Sequence, residues 1–78
     1  MLLPHETELV DSARIHQLIH DELVKIATDV AGWRVLYRDP KDSRLWELSY
    51  PQSEMHGGGP PKLTCLSQQV AERIFGPI

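Results

Sequence analysis

This chain of 78 residues has little cysteine and few long apolar runs. Abundant cysteine would indicate a disulfide-bonded or metal-binding protein, and a long apolar run would indicate a membrane protein. Its one cysteine, Cys65, excludes an internal disulfide and any metal site built from several thiolates. No apolar run approaches the ~20 residues that a membrane-spanning helix needs. Only Met1, Leu2 and Leu3 are apolar ahead of Pro4, so we expect neither a membrane span nor a signal peptide.

Basic charge is scarce as well. Eight lysines and arginines against eleven aspartates and glutamates give a net charge of −3, without a basic cluster. This balance argues against nucleic acid as a partner and is compatible with a basic protein partner. A chain this short makes one domain, residues 1–78. We therefore expect a small cytoplasmic protein that is a monomer or a weak homodimer, with no nucleic-acid or membrane partner.

The first half of the chain carries a helical pattern. Residues 1–10 show no periodicity and are expected to form an arm or a short edge strand. Either Asp11 or Ser12 can accept a hydrogen bond from free helix amides and so act as the N-cap. Apolar residues then recur at three- and four-residue spacing, and Gly32 suits a helix end. The pattern predicts an amphipathic helix from Ser12 to about Ala31. The apolar positions are Ile15, Leu18, Ile19, Leu23, Ile26, Ala27 and Val30.

After Gly32 the apolar period changes to two, which predicts strands over Trp33–Arg38 and Arg44–Tyr50. Asp39–Ser43 between them is typical of a turn, because Pro40 sets the first corner and aspartate side chains accept bonds from nearby amides. The two strands therefore form an antiparallel hairpin.

Charge and apolar matching favour one register for this hairpin, with Arg34 opposite Glu47 and Trp46 opposite Val35. Four large aromatic side chains on two strands are more often core than ligand platform. We expect Tyr50 to be the exception, because it opens into the following loop. The four aromatics are Trp33, Tyr37, Trp46 and Tyr50.

The last third predicts a short strand over Lys62–Leu66 with Leu63 and Cys65 turned inward. Ser67 is placed to cap a final helix that ends at Gly76. The predicted class is therefore α+β. It comprises a long N-terminal helix, a three-stranded antiparallel meander, and a short C-terminal helix packed on one sheet face.

The connection over residues 52–61 is longer than a turn requires. It joins three glycines, which have few steric limits, to two prolines, which stiffen the exit. Glu54 and His56 lie two apart, so in an extended segment they point the same way. Polar loops on a rigid scaffold often bind partners. A structural role, with His56 bonding a backbone carbonyl in the glycine turn, is the other interpretation.

An enzyme is the alternative from another class: a small metal-dependent or hydrolytic domain that uses Glu54 and His56, aided by Glu22 within the helix. His16 and His20 form a second pair at i and i+4. A structural zinc normally needs four ligands, however. Nothing in the sequence indicates that the Glu54/His56 pair and the His16/His20 pair lie close together in the fold. The sequence also lacks a Gly-x-Ser-x-Gly nucleophile turn. We therefore predict no catalytic residue, no metal ligand and no cofactor.

Several segments of the chain form a long and unusual pattern: Gly32-Trp33, Leu36-Tyr37-Arg38-Asp39-Pro40, Asp42, Arg44, Trp46-Glu47-Leu48 and the run from Tyr50 to Pro61. This pattern resembles the immunity protein 27 family of bacterial polymorphic toxin systems. The resemblance implies a protein that binds and neutralises a cognate toxin domain. The hairpin turn of that family commonly has glycine where this chain has Ser43. The predicted partner-binding residues are Tyr50, Gln52, Ser53, Glu54, Met55, His56, Gly57, Gly58 and Gly59.

Overall fold

The computed structural model describes residues 6–30, 32–50 and 60–77, and these ranges contain two helices and five strands. The strands form one antiparallel sheet in the order β1-β5-β4-β3-β2. The class is α+β, but the predicted long first helix and three-stranded meander are wrong. In chain order the elements are β1 (Glu8–Leu9), α1 (Ser12–Asp21), β2 (Val24–Thr28), β3 (Val35–Arg38), β4 (Leu45–Ser49), β5 (Lys62–Leu66) and α2 (Gln68–Phe75).

Helix α1 begins where the sequence predicts and ends much earlier. Asp11 is the N-cap, and its Oδ1 accepts a hydrogen bond from the Arg14 amide at 3.3 Å. The chain leaves the helix at Glu22 and continues as β2, which overturns the predicted helix to about Ala31.

A β-bulge explains why the apolar pattern after Glu22 resembles a helix. The bulge lies between Lys25 and Ala27, and Ile26 and Ala27 both pack against the same apolar cluster. Consecutive residues of a regular strand point to opposite faces, but a bulge disrupts that alternation. The segment therefore has the apolar spacing of a helix, and pairing with β3 makes it a strand.

Strands β3 and β4 form the predicted hairpin, in a register shifted by two residues. Trp46 lies opposite Tyr37 rather than Val35. A shift by an even number leaves every side chain on its predicted face. Arg34 and Glu47 therefore still meet, now diagonally, with 3.7 Å between Arg34 Nη1 and Glu47 Oε2.

The turn of this hairpin follows the predicted chemistry. Asp39 Oδ1 accepts from the Lys41 amide at 2.9 Å, and Asp42 Oδ1 accepts from the Arg44 amide at 3.0 Å. Ser43 has a φ of +64°, and it is the one non-glycine residue in the described ranges with positive φ. Glycine adopts this left-handed geometry without strain. This explains why the family that the sequence resembles commonly has glycine at this position.

The two helices cover opposite faces of the sheet, so the prediction that both pack on one face is wrong. Because alternate strand residues point to opposite faces, the antiparallel registers divide the core into two clusters. The cluster on the α1 face is Leu9, Ile15, Leu18, Leu23, Tyr37, Trp46, Leu48 and Leu63. The cluster on the α2 face is Leu36, Leu45 and Ala71, with Ile26, Ala27, Leu66 and Phe75 packed against it.

The strand aromatics divide between core and surface. Tyr37 and Trp46 are buried, as predicted, and Tyr50 is exposed, as expected of the exception. Trp33 is 66% exposed, so its predicted place in the core is wrong. Cys65 faces the α1 cluster, which confirms its inward orientation.

The residues ahead of α1 are bound to the sheet and to the helix. Glu6 receives two hydrogen bonds from the Arg14 guanidinium, at 2.7 and 2.9 Å. Arg44 Nη1 donates to the Glu6 carbonyl at 2.9 Å, and the Cys65 amide donates to the Thr7 carbonyl at 2.8 Å. These bonds hold β1 at the edge of the sheet beside β5.

Candidate partner-binding surface

The predicted binding loop is attached at one end of the sheet. Ser49, the last residue of β4, pairs with Lys62, the first residue of β5, so the connection between these strands leaves from this end. We call it the loop end of the sheet. Tyr50 is the one predicted site residue among the described ranges, and it is 37% exposed. The others lie outside the described residues: Gln52, Ser53, Glu54, Met55, His56, Gly57, Gly58 and Gly59.

Four exposed apolar residues lie at the loop end. Val10 follows β1, Val30 follows β2, Trp33 precedes β3 and Tyr50 follows β4. The antiparallel registers place all four of these strand ends together. We call these four residues the row. Because neighbouring strands lie about 4.8 Å apart, the row spans about 19 Å from one edge strand to the other. Exposed aromatic residues gathered in this way are typical of protein interfaces.

The opposite end of the sheet differs. Val24 is the remaining large apolar residue that is strongly exposed in the described ranges, and it pairs with Arg38 beside the β3–β4 turn. It lies alone there among polar residues of the turn. The apolar surface is therefore concentrated at one end of the sheet.

The sequence does not predict Val30 and Trp33 as surface residues, because its apolar patterns place Val30 in the helix and Trp33 in the core. Both lie in the tight turn between β2 and β3. Asp29 defines this turn: its carbonyl accepts from the Gly32 amide at 3.0 Å, and its Oδ1 accepts from the Arg34 amide at 3.1 Å. Gly32 has a φ of +78°. An aspartate three residues before a glycine is a recognised turn signal that could have identified this hairpin.

Tyr50 connects the row to the α1 face. The pKa of Tyr37 is raised, first because the side chain is buried and second because of the charge that Tyr50 would carry on ionisation. The two phenols are therefore electrostatic neighbours. Tyr50 is 37% exposed, so part of its ring is accessible, as is usual for an interface tyrosine.

Two ion pairs lie on the α2 face close to the loop end. Lys62 Nζ is 3.2 Å from Glu8 Oε1, and Arg34 Nη1 is 3.7 Å from Glu47 Oε2. Glu8, Lys62 and Arg34 are at least one-third exposed, whereas the Glu47 side chain is 12% exposed. The α2 face thus combines an apolar part beneath α2 with a polar part toward the loop.

The residues proposed for the enzyme alternative are not assembled in the described ranges. Those ranges contain no group of three or more histidine, cysteine, aspartate or glutamate side chains that could hold a metal ion. His20 Nδ1 lies 2.6 Å from Asp21 Oδ1. Glu22 accepts a hydrogen bond from Lys41 Nζ at 3.0 Å, at the end of the sheet away from the loop. Glu54 and His56 lie outside the described residues, so their pairing stays a prediction.

Cys65 has the environment of a structural thiol. Burial raises its pKa, and the nearby Arg44 charge only partly opposes that rise. A raised pKa lowers the thiolate fraction that would act as nucleophile or metal ligand.

Comparison with known proteins complements this geometry. Neither a curated relative nor a solved structure matches the chain. Within the described ranges, neither helix is long and apolar enough to cross a bilayer. The profile of the immunity protein 27 family matches residues 10–67, which include α1, β2–β5 and the exposed residues of the loop end. Because that match covers most of the chain and agrees with the resemblance in the sequence, the protein belongs to the immunity protein 27 family.

Proposed function

We propose that this protein is an immunity protein that binds a cognate bacterial toxin domain and neutralises it in the cytoplasm of the producing cell. The observation that carries the proposal is membership of the immunity protein 27 family over residues 10–67. Neutralisation by binding needs a complementary surface and no chemistry of its own.

The loop end of the sheet is the proposed toxin-binding surface. Its described part is the row Val10, Val30, Trp33 and Tyr50. Its remaining part is the predicted loop, with Glu54 and His56 as polar anchors. Aromatic anchors surrounded by polar groups are the usual composition of a protein interface, and tryptophan and tyrosine dominate binding energies there.

The edges of the sheet favour the toxin rather than a second copy as partner. β1 has two residues, and β2 carries Lys25 and a bulge on the other edge. Short edges, edge lysines and bulges all discourage strand pairing between copies. We therefore propose a monomer that uses the loop end, and not an edge strand, for binding.

The test uses a candidate toxin domain chosen from the genes that neighbour this one, with affinity measured by titration calorimetry. Trp33→Ala is expected to weaken binding roughly 30-fold, because truncating a central tryptophan anchor typically costs about 2 kcal/mol. The matched control is Val24→Ala, an exposed apolar residue at the other end, which should bind like the wild type.

Two results would decide against the proposal. A wild-type protein that neither binds nor inhibits the toxin domain would refute the immunity role. Equal losses for Trp33→Ala and Val24→Ala would keep that role but remove the loop end as the surface. A double variant, Glu54→Ala/His56→Ala, separately measures what the predicted loop anchors contribute.

A further inference from the structure

Glu47 occupies an unusual position for a carboxylate. It lies on the central strand β4 and points to the α2 face, between Leu36 on β3 and Thr64 on β5. Its side chain is 12% exposed. Glutamate is seldom buried to this extent unless it is paired.

The pairing of Glu47 is incomplete. Its Oε2 is buried and accepts no hydrogen bond from any residue in the described ranges. Arg34 Nη1 lies 3.7 Å from that oxygen, close enough for attraction between charges but too far for a hydrogen bond. Burying a carboxylate oxygen costs free energy, and that cost is offset only when donors or opposite charges compensate it. The attraction to Arg34 therefore compensates this carboxylate without giving it a hydrogen bond.

The described ranges contain one other buried side-chain atom without a hydrogen-bond partner, and it differs from Glu47 Oε2 in its surroundings. Trp46 Nε1 also has no partner, but Trp46 is fully buried within the α1 face. Glu47 instead lies beside Arg34, whose side chain is 49% exposed. Arg34 immediately follows Trp33 at the loop end, so the unsatisfied carboxylate borders the proposed toxin-binding surface.

We propose that Glu47 is the receptor for a basic side chain, arginine or lysine, of the toxin domain; this inference rests on the proposed function. A cationic side chain supplies the hydrogen bond that Oε2 lacks. It also supplies the positive charge that a largely buried carboxylate requires. The half-exposed Arg34 moves aside or shares the carboxylate when the partner enters. The net charge of −3 favours approach of such a partner.

The competing explanation is that Glu47 and Arg34 form a purely structural pair between β3 and β4. The two explanations predict opposite effects of Glu47→Gln, which keeps the shape and removes the charge. A structural pair would be lost and the melting temperature would fall. An unsatisfied charge held for binding would be relieved, so the melting temperature would stay the same or rise while affinity falls.

The experiment measures the melting temperature of each variant and its affinity for the same candidate toxin domain. The variants are Glu47→Gln and the matched control Glu8→Gln, which removes an exposed, ion-paired carboxylate from the same sheet face. We expect Glu47→Gln to weaken binding about 10- to 100-fold, the usual effect of losing a hydrogen bond to a charged group. Glu8→Gln should stay within about twofold. The wild-type affinity should also fall more steeply with added salt than that of Glu47→Gln.

The outcomes separate this inference from the proposed function. Unchanged affinity of Glu47→Gln, with the toxin still bound by the wild type, overturns the inference and leaves the immunity role intact. A clear fall in the melting temperature of Glu47→Gln assigns Glu47 to the fold and overturns the inference without reference to the toxin. If the wild type does not bind the toxin domain, the proposed function fails first, and the inference falls with it.

Discussion

Replacing Ser43 with glycine should stabilise the protein. Ser43 ends the β3–β4 turn with a φ of +64°. Its side chain is exposed, and its amide donates to the Asp39 carbonyl at 2.7 Å, a bond that glycine keeps. The substitution therefore changes backbone strain and chain entropy and little else.

The magnitude follows from two opposing terms. A left-handed conformation costs a residue with a Cβ about 1–2 kcal/mol. Glycine relieves that strain but loses about 0.5–1 kcal/mol more in ordering its flexible backbone. The net expectation is about 0.5–1 kcal/mol of added stability. For a domain of this size, about 4–8 °C per kcal/mol converts this to a rise in melting temperature of about 2–8 °C.

Thermal unfolding followed by circular dichroism is the assay, with two controls. Ser12→Gly makes the same chemical change at an exposed residue whose φ is not positive, so it should leave stability unchanged or lower it. Ser43→Ala keeps the Cβ and the strain and should remain within about 0.5 kcal/mol of the wild type. A melting temperature for Ser43→Gly that is no higher than that of Ser12→Gly would refute the reasoning.

Two further predictions concern the charges that hold the fold. Glu6→Gln should lower the free energy of unfolding by about 1–2 kcal/mol, measured by urea unfolding, because it replaces two charged hydrogen bonds with Arg14 by weaker neutral ones. A loss no greater than that of the exposed control Glu8→Gln would contradict this prediction. For Asp42, burial acts to raise the pKa, but bonds from the Arg44 amide and guanidinium outweigh it, so the pKa is lowered. A lowered folded-state pKa means that this stabilisation is present above the ordinary value of 3.8 and is lost as the pH falls through the lower folded value. Asp42→Asn should therefore reduce the stability difference between pH 6 and pH 3, and an unchanged difference would show that Asp42 does not contribute.

Local chemistry was readable from the sequence wherever neighbouring residues decide the structure. Ser67 caps α2 as predicted, and Asp11, one of the two predicted candidates, caps α1. Capping can be predicted because it depends on one side chain and on amides two or three residues away. The Asp39–Ser43 turn and the faces of β3 and β4 were predicted for the same reason. The register of that hairpin was wrong by two residues, because a shift of two preserves the faces and the sequence pattern does not distinguish the alternatives.

The two edge strands could not be read in the same way. β1 has two residues, and what holds it is a set of bonds from Arg14, Arg44 and Cys65 that are distant in sequence. β2 carries an apolar spacing that fits a helix as well as a bulged strand. Only pairing with β3 distinguishes the two, and pairing is a long-range property.

The sequence by itself determined the α+β class, the helix caps, the hairpin turn and the resemblance to the immunity family, because these depend on residues close together in the chain. It also marked Tyr50 and the loop after it as a candidate site. Only the tertiary structure brought Val10, Val30, Trp33 and Tyr50 to the same end of the sheet, since they lie at the ends of four different strands. It likewise decided that Glu47 Oε2 is buried without a hydrogen-bond donor in the described ranges, because the burial of an atom depends on what the sheet and its neighbours leave uncovered.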